Sequence, residues 1–94
     1  MTESNTEQIR VWLIEDNEVF RRNVQRVING LDGMVADGSF DSAESAFAAL
    51  HSNPAPDVML LDVQLPGIDG IVALGKFKEI IPDTRIIILT VFDD

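Results

Sequence analysis

Three short runs of the sequence are almost wholly apolar, and each ends at polar residues. They are IRVWLI at 9–14, VMLLD at 58–62 and RIIILT at 85–90. A continuous apolar run of this length indicates a strand that is covered on both faces. A weaker run, MVADGSF at 34–40, predicts one more strand. Covered strands of this kind are typical of a parallel sheet between layers of helix.

Segments with helical spacing separate the four predicted strands. The first spans 18–29 and stops at Gly30, the second begins at an Asp41 and Glu44 capping pair, and the third ends at Pro82. Their apolar positions are Phe20, Val24, Val27, Ile28 and Leu31; Ala43, Ala46, Phe47 and Leu50; and Ile71, Leu74, Phe77 or Lys78, and Ile81. The β-α-β-α-β-α-β order predicts a doubly wound parallel α/β sheet with helices on both faces.

Charge and composition exclude several classes of protein. Residues 1–8 are polar and we expect a disordered tail, with neither a signal peptide nor, anywhere in the chain, an apolar run that spans a membrane. The chain has no cysteine, so a cytoplasmic location is the simplest expectation. A net charge of −9 argues against direct nucleic-acid contact and suits a cationic partner, a divalent metal or solubility alone.

Carboxylates stand where the predicted strands end. Glu15 and Asp16 follow the first strand, Asp62 closes the third, and Thr90 closes the fourth. In a parallel sheet these ends share one edge, so the carboxylates repel one another unless a hard cation such as Mg²⁺ binds them. Pro66 and Gly67 then fix the turn before the next helix. The plainer alternatives are a strand-end turn at Asp62, a helix N-terminal charge pair at 15–16, and an ordinary strand threonine.

The whole pattern resembles the receiver domain of bacterial response regulators. The resemblance rests on WLIEDN at the first strand end, LLDVQLPGIDG around the third and IIILTVFDD at the fourth, in that order, and it covers residues 9–94. It implies the flavodoxin-like receiver fold with strand order 2-1-3-4 for the strands present. The ending TVFDD is similar to receivers that precede a helix-turn-helix DNA-binding domain, which implies transcriptional output for a longer parent protein.

The resemblance implies a role for each residue of the acidic edge. Asp62 would accept a phosphoryl group from a phosphohistidine of a sensor histidine kinase, and Thr90 would turn its hydroxyl toward that group. Asp16 would bind Mg²⁺ directly, Glu15 would bind it through water, and Gln64 would offer its backbone carbonyl. Such a chain is a signalling switch and not an enzyme.

The sequence departs from the family after its fourth strand. The family's fourth helix, fifth strand and fifth helix are not in this sequence, and neither is the lysine that ends the fifth strand; Lys76 and Lys78 lie on the third helix and do not replace it. We infer a fragment or the recorded part of a longer protein. Its fourth strand would then be an open edge, so we expect self-association by edge pairing or swapping.

Other functions remain as alternatives. An aspartyl-phosphate phosphohydrolase needs an acid/base aspartate where this chain has Gln64, and a dinucleotide site needs a glycine-rich turn where it has EDNE at 15–18. A pseudo-receiver, an interaction module that is never phosphorylated, stays open because the lysine is absent. Single residues have simpler predictions: Asp69 caps a helix, Trp12 is core, and His51 lies on the surface.

Three arginines form a basic stripe on the first predicted helix. They are Arg21, Arg22 and Arg26. We expect a solvated helix face, with a kinase-docking face as the alternative that the family resemblance implies.

Overall fold

A computed structural model describes residues 7–64 and 69–89, and the predicted sheet is present there. The elements in chain order are β1 (Ile9–Ile14), α1 (Glu18–Asn29), β2 (Met34–Phe40), α2 (Ala43–Ala49), β3 (Val58–Asp62), α3 (Gly70–Ile80) and β4 (Arg85–Leu89). The four strands are parallel in the order β2-β1-β3-β4. The doubly wound α/β class and the 2-1-3-4 order are therefore confirmed.

The strand register brings the two acidic strand ends to the same edge. Ile14 of β1 is level with Leu61 of β3, and Asp62 of β3 is level with Leu89 of β4. Glu15 comes one residue after Ile14, so it lies level with the last residue of β3. Parallel pairing without a register shift between these strands therefore fixes the site.

Helices cover the two faces of the sheet unequally. The face under α2 and α3 holds a large cluster of buried residues that includes Trp12, Met59 and Phe77. The rings of Phe47 and Phe77 stack there with centroids 4.2 Å apart. The face under α1 holds a smaller cluster, whose buried members are Val11, Ile28 and Ala36. Most of the apolar burial, and hence most of the hydrophobic stabilisation, lies on the α2 and α3 side.

Trp12 is in the core as predicted, and Gly38 makes room for it. The indole is 2% exposed and lies 4.9 Å from the Phe40 ring, centroid to centroid. The pairing of β1 with β2 shifts by one residue here, so that Val11 is level with Ala36 and Trp12 with Gly38. A Cβ atom on Gly38 would lie 2.6 Å from Trp12 Nε1, which is inside van der Waals contact. The β2 strand therefore approaches Trp12 as closely as a glycine allows.

The buried faces of two helices agree with the predicted ones only in part. On α1, Ile28 is buried and Val24 packs beside it, but Val27 is 64% and Leu31 50% exposed. On α3, Phe77 is buried and Leu74 and Ile81 pack against the core as predicted, but Ile71 is 63% exposed. Gly70 and Ala73, which were not predicted, are also buried. Small residues let α3 lie close to the sheet, so the side of α3 that carries Gly70 and Ala73 is the side that contacts the sheet. The spacing of the large apolar residues did not predict that Gly70 and Ala73 would be buried.

The N-cap of α3 is the predicted one, whereas the N-cap of α2 differs from the prediction. Asp69 caps α3, and its Oδ1 accepts a hydrogen bond from the Ile71 amide at 2.7 Å. The cap of α2 is Ser42, whose Oγ accepts from the Ser45 amide at 3.1 Å. The predicted Asp41 cap is therefore wrong by one residue, because serine caps equally well and is followed at once by the buried Ala43.

Two further features concern the outer surface. In the part of the chain that the structure describes, no helix has the length and apolar character needed to cross a membrane. Among those same residues β4 is an edge strand, and its Ile87 and Ile88 are 52% and 37% exposed. The predicted tail at 1–8 lies mostly outside the described residues.

The contact between Gly38 and Trp12 gives a test of the core. We expect Gly38→Ala to lower the free energy of unfolding by about 1–3 kcal/mol, because the added methyl overlaps a buried ring that has no space to move into. Urea denaturation followed by circular dichroism measures it. Gly75→Ala is the matched control: nothing lies within 4 Å of its Cβ position on α3. It should stabilise the chain by about 0.5–1 kcal/mol, and equal effects of the two variants would contradict this account.

Candidate functional site

Three carboxylates meet where β1 and β3 end. One ligand oxygen from each of Glu15, Asp16 and Asp62 lies within 4.8 Å of the other two. Glu15 is 3% and Asp62 4% exposed, whereas Asp16 is open to solvent. The acidic cluster thus consists of two buried carboxylates and one that faces solvent.

Backbone hydrogen bonds hold the two buried carboxylates in place. The Glu15 amide donates to the Phe40 carbonyl at 3.0 Å, which extends the pairing of β1 with β2 one residue past the strand. Glu15 Oε2 accepts from the Asn17 amide at 2.8 Å. Asp62 Oδ1 accepts from the Gln64 amide at 2.9 Å. Each buried side chain is therefore fixed by the turn that directly follows it.

Glu15 carries the electrostatic strain of the site. Its Oε1 is buried and has no hydrogen-bond partner among the described residues. Burial, together with the neighbouring carboxyls of Asp16 and Asp62, raises the pKa of Glu15 from 4.5 to about 7, although the hydrogen bond from Asn17 opposes the change. Near neutral pH the site therefore holds a partly protonated carboxyl beside other acids.

The donor set fits a hard divalent cation. All the clustered ligand atoms are carboxylate oxygens, which Mg²⁺ prefers, and the buried Glu15 Oε1 is an acceptor that lacks a donor. A cation would satisfy that oxygen and offset both causes of the raised Glu15 pKa, first the burial of the charged form and then the neighbouring carboxyls. Glu15, Asp16 and Asp62 are thus the residues that could hold a metal.

The loop between β1 and α1 is fixed by contacts that the sequence did not predict. Asn17 caps α1 by accepting from the Phe20 amide at 2.9 Å. Arg21 turns inward, and its Nη1 donates to the Glu15 carbonyl oxygen at 2.7 Å. The predicted solvated stripe is therefore wrong at Arg21, although Arg22 and Arg26 are exposed. A long flexible side chain gives no sequence signal of the direction it takes.

The turn after β3 lies close to the start of α3. A Cβ on Gly70 would be 2.6 Å from the Val63 carbonyl oxygen, so only glycine lets the helix begin so near the residue that follows Asp62. Gln64 is exposed, and metal binding through its carbonyl remains a prediction. Pro66, Gly67 and Thr90 lie outside the described residues.

The remaining charged side chains are away from the acidic edge. Lys76 and Lys78 are exposed on α3, with Lys78 in its last turn at the opposite end of the helix from Asp69. His51 is exposed next to the end of α2, as predicted. None of these described residues belongs to the acidic cluster.

The fold and the acidic edge together define a parallel α/β domain with a carboxylate site at the ends of its central strands. The family model of the response regulator receiver domain matches residues 11–94, which is most of the chain. The chain belongs to the family of response regulator receiver domains of two-component systems.

Its curated relatives are regulators that are longer than this chain. It is 37% identical over 89 residues to the transcriptional regulatory protein YxjL of Bacillus subtilis and 35% identical over 83 residues to the response regulator UvrY of Escherichia coli. These matches cover 95% and 88% of this chain but 40% and 38% of the relatives. A protein-glutamate methylesterase of Paramagnetospirillum magneticum is 37% identical over 82 residues, but only 21% of it is covered.

Solved structures show the same fold. The signal receiver domain of the response regulator NarL from Mycobacterium tuberculosis superposes with a TM-score of 0.81 at 27% identity, covering 95% of this chain and 71% of that one. A LuxR-family response regulator from Aurantimonas sp. SI85-9A1 gives 0.80 at 26% identity, covering 92% and 61%. The receiver fold is thereby established for the described strands and helices.

The raised pKa of Glu15 gives a pH-dependent prediction. Because the folded chain binds this proton more tightly than the unfolded chain, Glu15 makes the free energy of unfolding fall as pH rises from 4.5 to about 7. In a metal-free buffer, Glu15→Gln should remove that fall and stabilise the chain at pH 8 by on the order of 1–3 kcal/mol. Urea midpoints at pH 5 and pH 8 measure it, with Glu79→Gln on the exposed face of α3 as the control.

A Glu15→Gln variant that keeps the wild-type pH dependence would contradict this assignment. The same would follow if Glu79→Gln, which leaves the acidic edge intact, flattened the pH dependence equally.

Proposed function

We propose that this chain is a phosphoacceptor receiver, in which Asp62 takes a phosphoryl group from a phosphohistidine of a sensor histidine kinase. The observation that carries the proposal is a buried carboxylate at the end of β3 with two further carboxylates within 4.8 Å. A structural aspartate does not need acidic neighbours, because they raise the free energy of its ionised form. A site that binds a cation and then a phosphoryl group does need them.

The residues divide the work of the transfer. Asp62 Oδ1 accepts a hydrogen bond from the Gln64 amide, so Oδ2 is the oxygen that attacks phosphorus. The new O–P bond forms as the P–N bond of the donor breaks, and the electron pair of that bond stays on the imidazole nitrogen. Bound Mg²⁺ would neutralise the charge of the phosphoryl oxygens. Asp16 and Asp62 would hold it directly, Glu15 through water, and Gln64 through its carbonyl.

Thr90 completes the proposed switch. It follows Leu89 in the sequence, and Leu89 is level with Asp62 in the sheet, which supports this role for Thr90. Its hydroxyl would donate to a phosphoryl oxygen and so link the covalent state of Asp62 to the segment beyond β4. The relative YxjL, a transcriptional regulatory protein of which this chain covers 40%, favours a transcriptional output. We propose a cytoplasmic location for the protein. This segment itself would not contact DNA.

An interaction module that is not phosphorylated is the second candidate. The observation that favours it is the position of Lys76 and Lys78 on α3, exposed and outside the acidic cluster. No other lysine occurs in the sequence. Among the described residues, no lysine would then neutralise phosphoryl oxygens on Asp62, and that charge would be left to the metal.

Phosphotransfer from a small donor separates these two candidates. With Mg²⁺ and acetyl phosphate, we expect the intact mass of the chain to rise by one phosphoryl group, and hydroxylamine should reverse the change because it cleaves acyl phosphates. Asp62→Asn should abolish the modification, since an amide oxygen is a poor nucleophile. Asp83→Asn, an exposed aspartate in the turn before β4, is the control and should be modified normally.

An unmodified wild-type chain that nevertheless binds Mg²⁺ would support the interaction module instead. Modification of Asp62→Asn at the wild-type rate would exclude Asp62 as the acceptor.

We also propose that the chain associates with itself through β4. Among the described residues β4 is an edge strand, and Ile87 is exposed although its neighbour Leu60 packs in the cluster under α1. An apolar edge with free backbone groups can pair with the same edge of a second copy. The net charge of −9 opposes this, so salt should strengthen the association.

A charge on β4 should prevent self-association. Ile87→Lys places a cation on the open strand and should convert the chain to monomers in sedimentation equilibrium at micromolar concentration. Ile71→Lys, which puts the same charge on exposed α3, should leave the association unchanged. A wild-type chain that sediments as a monomer at both low and high salt would contradict the proposal.

A further inference from the structure

Arg21 makes two contacts that join three elements of the fold at the acidic edge. From α1, its Nη1 donates to the Glu15 carbonyl oxygen at 2.7 Å and its Nε donates to Ser39 Oγ on β2 at 3.1 Å. The side chain is half-buried, unlike that of Arg22, whose Nη1 lies 3.3 Å from Glu18 Oε2 in an exposed pair. A guanidinium donates in a fixed planar fork, so two contacts fix its plane.

A hydrogen bond to the Glu15 carbonyl oxygen affects the backbone that leads into Asp16. This oxygen belongs to the peptide group that joins Glu15 to Asp16, and peptide groups are planar. Holding this oxygen fixes the rotation of that plane, which sets the direction in which the chain enters Asp16. Asp16 is exposed and outside the strand, so no sheet hydrogen bond fixes its backbone.

We infer that Arg21 is a positioning residue for the cation site, and that it acts by holding the Glu15–Asp16 peptide so that the two carboxylates stay convergent. The inference rests on the proposed Mg²⁺ site and extends it to a residue that contacts the backbone of Glu15 and none of the clustered carboxylates. Residues that orient metal ligands from outside the coordination shell change metal affinity by about 10–100-fold when removed.

The charge of Arg21 and its hydrogen bonds predict opposite effects on Mg²⁺. A cation close to the site repels Mg²⁺, so loss of the charge alone should tighten binding. Loss of the hold on the peptide should weaken it. The sign of the change therefore distinguishes a positioning role from a general electrostatic one.

The test is calorimetric titration with MgCl₂ of the chain and four variants. Arg21→Met should raise the dissociation constant about tenfold, and Arg21→Lys should lie between it and wild type, because lysine reaches one partner but not both. Ser39→Ala leaves Arg21 in place and should weaken binding less. Arg22→Met, which removes the same charge from the same helix, should bind as tightly as wild type or more tightly.

Amide hydrogen exchange, measured on the metal-free chain, gives a second and independent test. The Asn17 amide donates to Glu15 Oε2, so Arg21→Met should speed its exchange while the Leu61 amide in the centre of the sheet keeps its rate. Mg²⁺ affinity in Arg21→Met equal to or tighter than in wild type would overturn the inference. If the wild-type chain binds no Mg²⁺, the proposed metal site fails by itself, and unchanged Asn17 exchange would then overturn the role of Arg21.

Weaker Mg²⁺ binding could also follow from a general loss of folding, and a stability measurement distinguishes this from a positioning effect. Urea denaturation of each variant gives its stability, and Ser39→Ala provides the reading if Arg21→Met does not fold. Weaker Mg²⁺ binding in Ser39→Ala at unchanged stability supports positioning, and wild-type affinity in that variant overturns it.

Discussion

Repulsion between carboxylates at the end of a parallel sheet is the constraint on which the rest of this structure depends. Parallel pairing of β1 with β3 places the residues after Ile14 level with Asp62, so the sheet itself brings the acids together. Two of them are buried, and burial raises the free energy of each ionised form. The stable core on the α2 and α3 side supplies the burial energy that keeps this unfavourable arrangement folded.

The strain is concentrated at one atom. Glu15 Oε1 has no donor within the described part of the chain, whereas Oε2 and Asp62 Oδ1 each accept a backbone amide. The turns after the two strands thus fix each carboxylate from one side and leave the other side for a ligand. Such an incompletely satisfied site is typical of a place where function, and not stability, has selected the residues.

Much of this arrangement could be predicted from the sequence. Continuous apolar runs predicted β1, β3 and β4, and the weaker run at 34–40, which contains polar residues, predicted β2. The strand order followed from the resemblance to receivers. Convergence of Glu15, Asp16 and Asp62 followed because parallel strands end at one edge. The inward turn of Arg21 could not be predicted, since helical spacing gives a direction for Cβ and not for a guanidinium several bonds away. The buried line of Gly70 and Ala73 was missed because small residues carry little hydropathy signal.

Magnesium binding to the wild-type chain tests the central claim most directly. Trp12 lies on β1, three residues before Glu15, so its fluorescence should report changes at the acidic edge. We expect a saturable fluorescence change with MgCl₂ that is lost in Asp16→Asn and kept in Asp83→Asn, with circular dichroism showing all three chains folded. A folded wild-type chain with no saturable response, or an Asp16→Asn variant with the wild-type response, would contradict it.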